Sequence, residues 1–269
     1  MTSNTHPHRN QGLPKGIVYW SPWEMTSPWQ APPASDEWAI FLDLDGTLVD
    51  IAPTPHSIKI HSDLPPLLAK LSRRLGGSVA FVSGRSIADL DLLMHPLHFP
   101  AAGIHGIERR DARGDLHYAG LSPEDLEPAR AELRNFVSKH SGLLLEDKGR
   151  SLALHFRLAP ELESAVYRII EHVLQRLPVE THVQPGHCVI EIKSGRANKR
   201  TAIEQFMQEP PFAGRVPIFV GDDLTDRDGF SYVESIGGHA VLVGPDPEEG
   251  RGWLPDPAAV HQWLQTLTV

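Results

Sequence analysis

The stretch Trp38-Ala-Ile-Phe-Leu-Asp43-Leu-Asp45-Gly46-Thr47 decides the fold predicted for this chain of 269 residues. Its apolar start predicts a buried β-strand, and Asp45-Gly46-Thr47 predicts a turn where that strand ends. Asp43 and Asp45 lie two residues apart, so their side chains leave the strand end on the same side of the chain. The sequence therefore predicts a strand that delivers two carboxylates to one place.

The segments that follow repeat a strand and helix rhythm. A helix is predicted over 64–75 and a second buried strand over 78–82, which ends in Ser83-Gly84-Arg85. Strand, helix and strand in this order predict a βαβ unit and a parallel sheet. Further predicted elements are a strand end at 102–106, a hairpin turning at Arg113-Gly114, a helix over 201–207, a strand over 216–220 that ends in Gly221-Asp222-Asp223, a short helix after that turn, and a strand over 240–243.

The middle of the chain has a different pattern. Helices are predicted over 123–140 and 161–177, and strand-like runs over 143–146, 152–156, 179–183 and 188–192. A length of 269 residues corresponds to about 1.8 domains at roughly 150 residues per domain. We therefore predict a parallel-sheet core over 37–118 and 195–269, interrupted by an α+β insertion over 119–194.

Residues 1–36 are predicted to form an extension, because prolines are frequent there and no apolar periodicity is present. Docking of Trp20, Trp23 and Trp29 on the globular part is favoured over a partner-binding arm.

Composition limits the class of protein and the partners. With 25 Lys+Arg against 34 Asp+Glu, the net charge of −9 disfavours nucleic acid and other extended polyanions. The single cysteine, Cys188, cannot form an intramolecular disulfide, which favours a reducing compartment. No apolar run has the length of a membrane span, and the amino terminus lacks the apolar middle of a secretory signal. We expect a cytoplasmic protein that has no membrane partner.

The polar turns after the predicted strands point to a cation site. The carboxyl ends of parallel strands form the ligand-binding edge of a sheet, so Asp43, Asp45, Asp222 and Asp223 should meet there. Several carboxylates in one pocket repel one another unless a cation lies between them, and Mg²⁺ suits such oxygen ligands. A calcium loop is excluded, because Thr47 and Thr54 occupy the fifth and twelfth positions, where that loop needs an oxygen ligand and a glutamate.

These motifs resemble those of a known superfamily. Phe-Leu-Asp43-Leu-Asp45-Gly46-Thr47-Leu, Val-Ser83-Gly84-Arg85, Asn198-Lys199 and Gly221-Asp222-Asp223-Leu-Thr-Asp226 resemble the four motifs of the haloacid dehalogenase superfamily of phosphotransferases. Ala-Gly103-Ile-His105-Gly106-Ile-Glu108-Arg-Arg, Glu146-Asp147-Lys148-Gly149-Arg-Ser-Leu-Ala-Leu-His155-Phe-Arg157 and Val-Ile-Glu191-Ile-Lys193 resemble the bacterial trehalose-6-phosphate phosphatases. The resemblance covers roughly residues 37–265. It implies a Rossmann-like, doubly wound α/β core of the haloacid dehalogenase type with an inserted α+β cap.

The resemblance also implies roles for the residues of the core. Asp43 would be the nucleophile that forms an aspartyl-phosphate, and Asp45 the general acid and base. Mg²⁺ would be held by Asp43, the Asp45 carbonyl and Asp222, with Asp223 and Asp226 in support. The phosphoryl oxygens would be received by Thr47, Ser83 and Lys199, of which Lys199 completes the catalytic set.

The insertion would read the sugar. Glu146, Lys148 and Glu191 match the sugar-contacting positions of the family; His105, Gly106 and Arg157 are further candidates, and His155 is expected to be structural. The implied activity is Mg²⁺-dependent hydrolysis of the small molecule trehalose 6-phosphate, with a functional coupling to the synthase that makes it. Phosphatases of another sugar phosphate, such as sucrose phosphate, and a silent phosphosugar-binding module are the alternatives; the set Asp43, Asp45 and Lys199 argues against a silent module.

Overall fold

A computed structural model of the chain describes residues 35–52, 57–178, 181–195, 197–245 and 251–268. The predictions for Trp20, Trp23 and Trp29 lie outside these residues. The described strands are, in chain order, β1 (Trp38–Leu42), β2 (Val79–Val82), β3 (Ala101–Gly103), β4 (Glu108–Arg110), β5 (Leu116–Tyr118), β6 (Leu144–Asp147), β7 (Leu152–His155), β8 (Thr181–Gly186), β9 (Val189–Ser194), β10 (Val216–Gly221), β11 (His239–Val243) and β12 (Gly252–Leu254). The described helices are α1 (Leu64–Arg74), α2 (Ile87–Met94), α3 (Glu127–Val137), α4 (Glu163–Leu174), α5 (Lys199–Phe206), α6 (Arg227–Ser235) and α7 (Pro257–Thr266).

The larger sheet has the strand order β12-β11-β10-β1-β2-β3-β4-β5 within the described residues. The strands from β12 to β3 run parallel, and β4 and β5 extend the edge as antiparallel strands. The central strand β1 is hydrogen-bonded to β10 on one side and to β2 on the other. The predicted α/β class with a parallel core is therefore confirmed.

Helices cover both faces of this sheet, because β1 is apolar on both of its faces. Ile40 belongs to a cluster that includes residues of α1, α2 and α7. Its neighbour Phe41 packs on the opposite face with residues of α5 and α6, and its ring lies 5.5 Å from the ring of Phe212. Successive strand residues point to opposite faces, so a continuous apolar run is what a doubly wound sheet requires.

The smaller sheet is antiparallel, with the order β6-β7-β9-β8. One face, which carries Leu152, Leu154, Ile190 and Ile192, packs on α3 and α4 in a core of its own. On the other face Glu146, Ala153, Glu191 and Gln184 are opposite one another across the four strands. The sheet therefore presents one apolar face to its helices and one polar face away from them.

Three described elements were not predicted: α2, β12 and α7. Ser86 caps α2 by accepting a hydrogen bond from the backbone N–H of Asp89, and Asp256 caps α7 through the N–H of Ala259. The predicted helix over 123–140 is shorter in the structure, which has α3 at Glu127–Val137. Within the part of the chain that the structure describes, no helix has the length and apolar composition to span a membrane.

Candidate active site

The predicted catalytic residues meet at the carboxyl edge of the larger sheet. Asp43 follows β1, Ser83 follows β2 and Asp222 follows β10, and these three strands are neighbours in the sheet. Lys199 is the first residue of α5, whose N-cap Asn198 forms a capping box with Thr201. The parallel register thus brings together residues that are far apart in the sequence.

Asp43 is buried and has a cation beside it. Its backbone N–H donates to the carbonyl of Val220, which fixes the strand end, and Lys199 Nζ lies 3.2 Å from Asp43 Oδ1. Burial raises the pKa of the Asp43 carboxyl well above its ordinary value; the positive charge of Lys199 opposes this shift, and Asp226 and Asp222 add to it. The carboxylate form of Asp43 therefore depends on nearby positive charge.

Lys199 is held by a second buried carboxylate. Its Nζ donates to Asp226 Oδ1 at 2.5 Å, and Asp226 is fully buried. Asp226 Oδ2 accepts hydrogen bonds from the backbone N–H groups of Asp222 and Asp223 at 3.1 and 3.0 Å. Burial alone would lower the pKa of Lys199, but Asp226 and Asp43 raise it above its ordinary value, so the side chain remains a fixed cation.

The carboxylates form a site that fits a hard divalent cation. Asp43, Asp222 and Asp226 each offer an oxygen within 4.8 Å of the others. Burial, and after it the charge of Asp226, raise the pKa of Asp222 to about 7, so a cation beside Asp222 would favour its carboxylate form. Because both oxygens of Asp226 already accept hydrogen bonds, Asp43 and Asp222 are the carboxylates left to a cation. This set of oxygens suits Mg²⁺.

Gly46 and Thr47 shape the same site from the turn after β1. Gly46 has a φ of +81°, and a Cβ added to it would lie 2.0 Å from Asp222 Oδ2. Thr47 is fully buried, and its Oγ1 donates to Asp222 Oδ1 at 3.2 Å. Asp223 is exposed, its Oδ1 accepts from the N–H of Leu224, and its charge acts on Asp222. The turn therefore leaves room for the Asp222 carboxylate and orients it.

The side chain of Asp45 pairs with Arg85, a residue to which the sequence analysis gave no role. Arg85 Nε lies 2.6 Å from Asp45 Oδ2, and Arg85 Nη2 lies 2.7 Å from Asp45 Oδ1. Burial would lower the pKa of Arg85, but Asp45 raises it overall. Ser83 is buried two residues earlier, and its Oγ accepts from the N–H of Arg85 at 3.2 Å. The position of Arg85 in the motif Ser83-Gly84-Arg85 was the signal in the sequence that could have identified it as a site residue.

Glu191 is the centre of the predicted sugar-binding group. Its Oε1 accepts from Lys148 Nζ at 3.2 Å and from Ser151 Oγ at 2.8 Å, and its Oε2 lies 3.2 Å from His105 Nε2. Burial alone would raise the pKa of Glu191, but Lys148 and His105 hold it below its ordinary value. Lys148 also donates to the carbonyl of Gly84 at 3.0 Å. This group therefore joins the smaller sheet to the loop after β2. Ser151 was not predicted.

The other sugar candidates are placed differently. Glu146 pairs with His155 at 2.9 Å, so this histidine orients a candidate sugar contact. Gly106 has a φ of +97°, and a Cβ there would lie 2.6 Å from the carbonyl oxygen of Asn198. Its lack of a side chain therefore lets the backbone approach the start of α5 closely. Arg157 is exposed and follows the carboxyl end of β7, which is the end farther from Lys148. None of the described residues forms a hydrogen bond or an ion pair with its side chain.

Known phosphatases are similar in sequence to this chain. Residues 41–251 match the family model described as trehalose-phosphatase. A probable trehalose-phosphate phosphatase of Sinorhizobium fredii is 41% identical over 236 residues, covering 87% of this chain and 89% of that protein. The trehalose-6-phosphate phosphatase of Escherichia coli is 39% identical over 245 residues, covering 91% and 92% of the two chains.

Solved structures share the fold. The C-terminal domain of a C. albicans trehalose-6-phosphate phosphatase has a TM-score of 0.74 at 22% identity, over 87% of this chain and 93% of that one. A phosphatase of the haloalkanoate (HAD) superfamily from Bacteroides thetaiotaomicron has a TM-score of 0.57 at 14% identity, over 90% of this chain and 100% of that one. At these identities the likeness is one of fold, and it confirms the predicted fold type.

Proposed function

The chain belongs to the trehalose-phosphatase family and is a phosphoric monoester hydrolase, and from this premise we propose that it hydrolyses trehalose 6-phosphate through an aspartyl-phosphate at Asp43. The observation that carries the mechanism is the buried pair of Asp43 and Lys199, whose atoms Oδ1 and Nζ lie 3.2 Å apart at the carboxyl end of β1. A buried carboxylate beside a fixed cation can approach a phosphate dianion that would otherwise repel it.

In the first half of the reaction, an oxygen of Asp43 attacks phosphorus, and the bond from phosphorus to the sugar oxygen breaks. The sugar oxygen takes a proton from the carboxyl group of Asp45, which gives trehalose. Lys199 stabilises the charge on the phosphoryl oxygens from the start of α5, where the helix dipole also favours negative charge. Thr47 and Ser83 would donate their hydroxyl protons to the same oxygens.

In the second half, Asp45 takes a proton from a water molecule while the water oxygen attacks phosphorus. The bond from phosphorus to the Asp43 oxygen breaks, which regenerates both carboxyl groups and gives inorganic phosphate. One residue can act in both halves only if it stays at the same place while its proton leaves and returns. The paired contacts of Arg85 with Asp45 support the fixed position, because they hold both carboxylate oxygens; one of these contacts must open while Asp45 carries the proton.

Asp43, Asp222 and the Asp45 carbonyl would hold Mg²⁺, with Asp226 and Asp223 in support. When bound, Mg²⁺ supplies positive charge that neutralises carboxylates and phosphoryl oxygens alike. The proposal is supported by the raised pKa of Asp222, whose first cause is burial and whose second is the charge of Asp226.

We propose that residues 119–194 act as a cap that reads the sugar. Glu146, Lys148 and Glu191 would receive the hydroxyl groups of the two glucose rings, since carboxylates accept and ammonium groups donate hydrogen bonds. A substrate that left them unpaired would bind less well. His105 belongs to this group through its contact with Glu191 Oε2, and the cap would exclude water where Lys148 meets Gly84. Gly106 and Arg157 remain candidate contacts.

Two further parts of the proposal concern the cell. A cytoplasmic location is supported by the free, half-buried thiol of Cys188. Functional coupling to the enzyme that makes trehalose 6-phosphate follows from the nature of the substrate.

A phosphate-release assay over a panel of sugar phosphates, with and without Mg²⁺, tests the proposal. We expect release from trehalose 6-phosphate to exceed release from sucrose 6-phosphate and glucose 6-phosphate, and to fall to background in EDTA. Preference for sucrose 6-phosphate would assign a different sugar to the same chemistry. Binding of trehalose 6-phosphate without release would instead indicate a silent binding module.

A further inference from the structure

The polar face of the smaller sheet carries a second lysine that the proposed reaction does not use. Lys193 lies two residues after Glu191 on β9, so the two side chains are on the same face of the strand. Four residues, 195–198, separate β9 from Lys199 at the start of α5. Lys193 therefore lies between the group around Glu191 and the residues at the nucleophile.

Lys193 is largely buried, and its ammonium group forms no ion pair with the described residues. Only 8% of the residue is exposed, and none of the described residues forms a hydrogen bond or an ion pair with its ammonium group. Lys148 and Lys199, the other buried lysines of this region, each have a carboxylate partner. Burial lowers the pKa of Lys193, Glu191 opposes this shift, and the charges of Lys148 and Lys199 add to it.

The neighbouring carboxylates are already engaged. Both oxygens of Glu191 are taken by Lys148, Ser151 and His105. Asp228, whose charge also acts on Lys193, accepts from Asn198 Nδ2 at 3.3 Å. A buried cation is costly to a protein unless an anion compensates it. Because Glu191 and Asp228 act on Lys193 without forming an ion pair with it, the chemistry of the site favours an anionic ligand that contacts it directly.

We propose that Lys193 binds the phosphate dianion of the substrate, and the inorganic phosphate product, as a second phosphate-binding lysine that the smaller sheet supplies in addition to Lys199. This inference rests on the proposed phosphatase function and deepens it. Sugar hydroxyls are neutral and would leave the charge of Lys193 uncompensated, whereas a phosphate dianion compensates it and Lys199 together. Phosphate would thereby be bound by Lys193 of the smaller sheet and by Lys199 of α5, which packs on the larger sheet, so that its presence stabilises the contact between the two parts.

Titration with inorganic phosphate tests this assignment, with affinity measured by calorimetry on the full chain in Mg²⁺. Lys193→Met should weaken phosphate binding by roughly tenfold to a hundredfold, the effect of losing one charge-assisted hydrogen bond. Lys193→Arg should keep most of the affinity. Lys139→Met removes the same charge from an exposed position of the same insertion and should leave binding unchanged.

A purely structural lysine would give a different pattern. Thermal unfolding of Lys193→Met without phosphate should occur near or above the wild-type temperature, because the variant loses a largely buried charge that forms no ion pair. Wild-type affinity for phosphate in Lys193→Met would overturn the proposal. So would a loss of trehalose 6-phosphate affinity with unchanged phosphate affinity, which would assign Lys193 to the sugar.

Lys193→Gln is a second neutral variant should the methionine disturb folding, and failure of both to fold at saturating phosphate would make the charge structural and overturn the proposal. The calorimetric result does not depend on turnover. A wild-type chain that binds phosphate through Lys193 but releases none from trehalose 6-phosphate would contradict the proposed function and leave this inference standing.

Discussion

Arg85 holds both carboxylate oxygens of Asp45, with Nε 2.6 Å from Oδ2 and Nη2 2.7 Å from Oδ1. The arginine is itself fixed, since its backbone carbonyl accepts from the N–H of Ile104 at 2.8 Å. The Asp45 side chain is 36% exposed, against 13% for Arg85, so an exposed carboxylate is positioned by a more buried guanidinium. A bidentate pair fixes direction as well as distance. We therefore propose Arg85 as a positioning residue for the proposed acid and base.

Replacing Arg85 should slow catalysis and leave substrate binding largely intact. Arg85→Gln is expected to lower kcat for trehalose 6-phosphate by about tenfold to a thousandfold, within the range that general acid–base catalysis contributes, with a small change in KM. The loss should be smaller with 4-nitrophenyl phosphate, whose leaving group needs no proton. Arg73→Gln, at an exposed position on α1, serves as the control. Equal losses on both esters would show that Arg85 does not act through the acid.

Removing the nucleophile should abolish phosphate release without unfolding the chain. Asp43→Asn is expected to reduce kcat by a factor of about 10⁴ or more, because an amide oxygen cannot form the aspartyl-phosphate. Lys199 keeps its 2.5 Å contact with Asp226, so the buried cation retains a partner. Circular dichroism should match the wild type, and a single-turnover assay should detect no trehalose. Appreciable turnover would exclude Asp43 as the nucleophile.

The sequence predicts the strands and the carboxyl edge well because both follow from local patterns. The apolar run over 38–42 is continuous because Ile40 and Phe41 are buried against different helix layers, and parallel register alone then brings Asp43 to Asp222. Local patterns do not predict the contacts between the two sheets, because these contacts join residues that are far apart in the sequence. Arg157 has the same parity as Ala153 of β7, yet it lies exposed in the turn beyond the strand, which ends at His155. Nothing local indicates that Lys193 is unpaired.

The metal-free protein should lose stability as the pH rises from about 4 to 7. The pKa of Asp222 in the folded protein is about 7, above the ordinary 3.8, so in this range the folded state binds more protons than the unfolded state does. Urea unfolding in EDTA should show this slope for the wild type and a flatter one for Asp222→Asn. At pH 8 the variant should be more stable by about 2–4 kcal/mol.

Magnesium should reverse the stability order of the wild type and Asp222→Asn at pH 8. Mg²⁺ at pH 8 should stabilise the wild type, because a ligand that binds the folded state shifts the unfolding equilibrium, and should have little effect on Asp222→Asn. Asp50→Asn, at an exposed position, is the matched control and should respond as the wild type does. A wild-type stability that is independent of both pH and Mg²⁺ would contradict the cation site.

Removing Glu191 should separate sugar reading from phosphate chemistry. Glu191→Ala takes away the shared partner of Lys148, Ser151 and His105, so we expect a loss of about 3–5 kcal/mol in unfolding free energy. Where the variant is folded, kcat/KM for trehalose 6-phosphate should fall far more than for 4-nitrophenyl phosphate. Glu161→Ala, an exposed glutamate of the insertion, is the control. Equal losses on the two substrates would refute a sugar-reading role.

A matched pair of glycine variants isolates the space that the cation site requires. Gly46→Ala places a Cβ 2.0 Å from Asp222 Oδ2 at a φ of +81°, whereas Gly114→Ala has a φ of +94° with nothing within 4 Å of the new atom. Both should lose about 1–2 kcal/mol from the left-handed backbone. Only Gly46→Ala must also displace Asp222. This variant alone should therefore lose phosphatase activity and should no longer be stabilised by Mg²⁺. If the two variants keep equal activity and an equal response to Mg²⁺ in thermal unfolding, the Asp222 carboxylate is free to move, and the turn at Gly46 does not define the site.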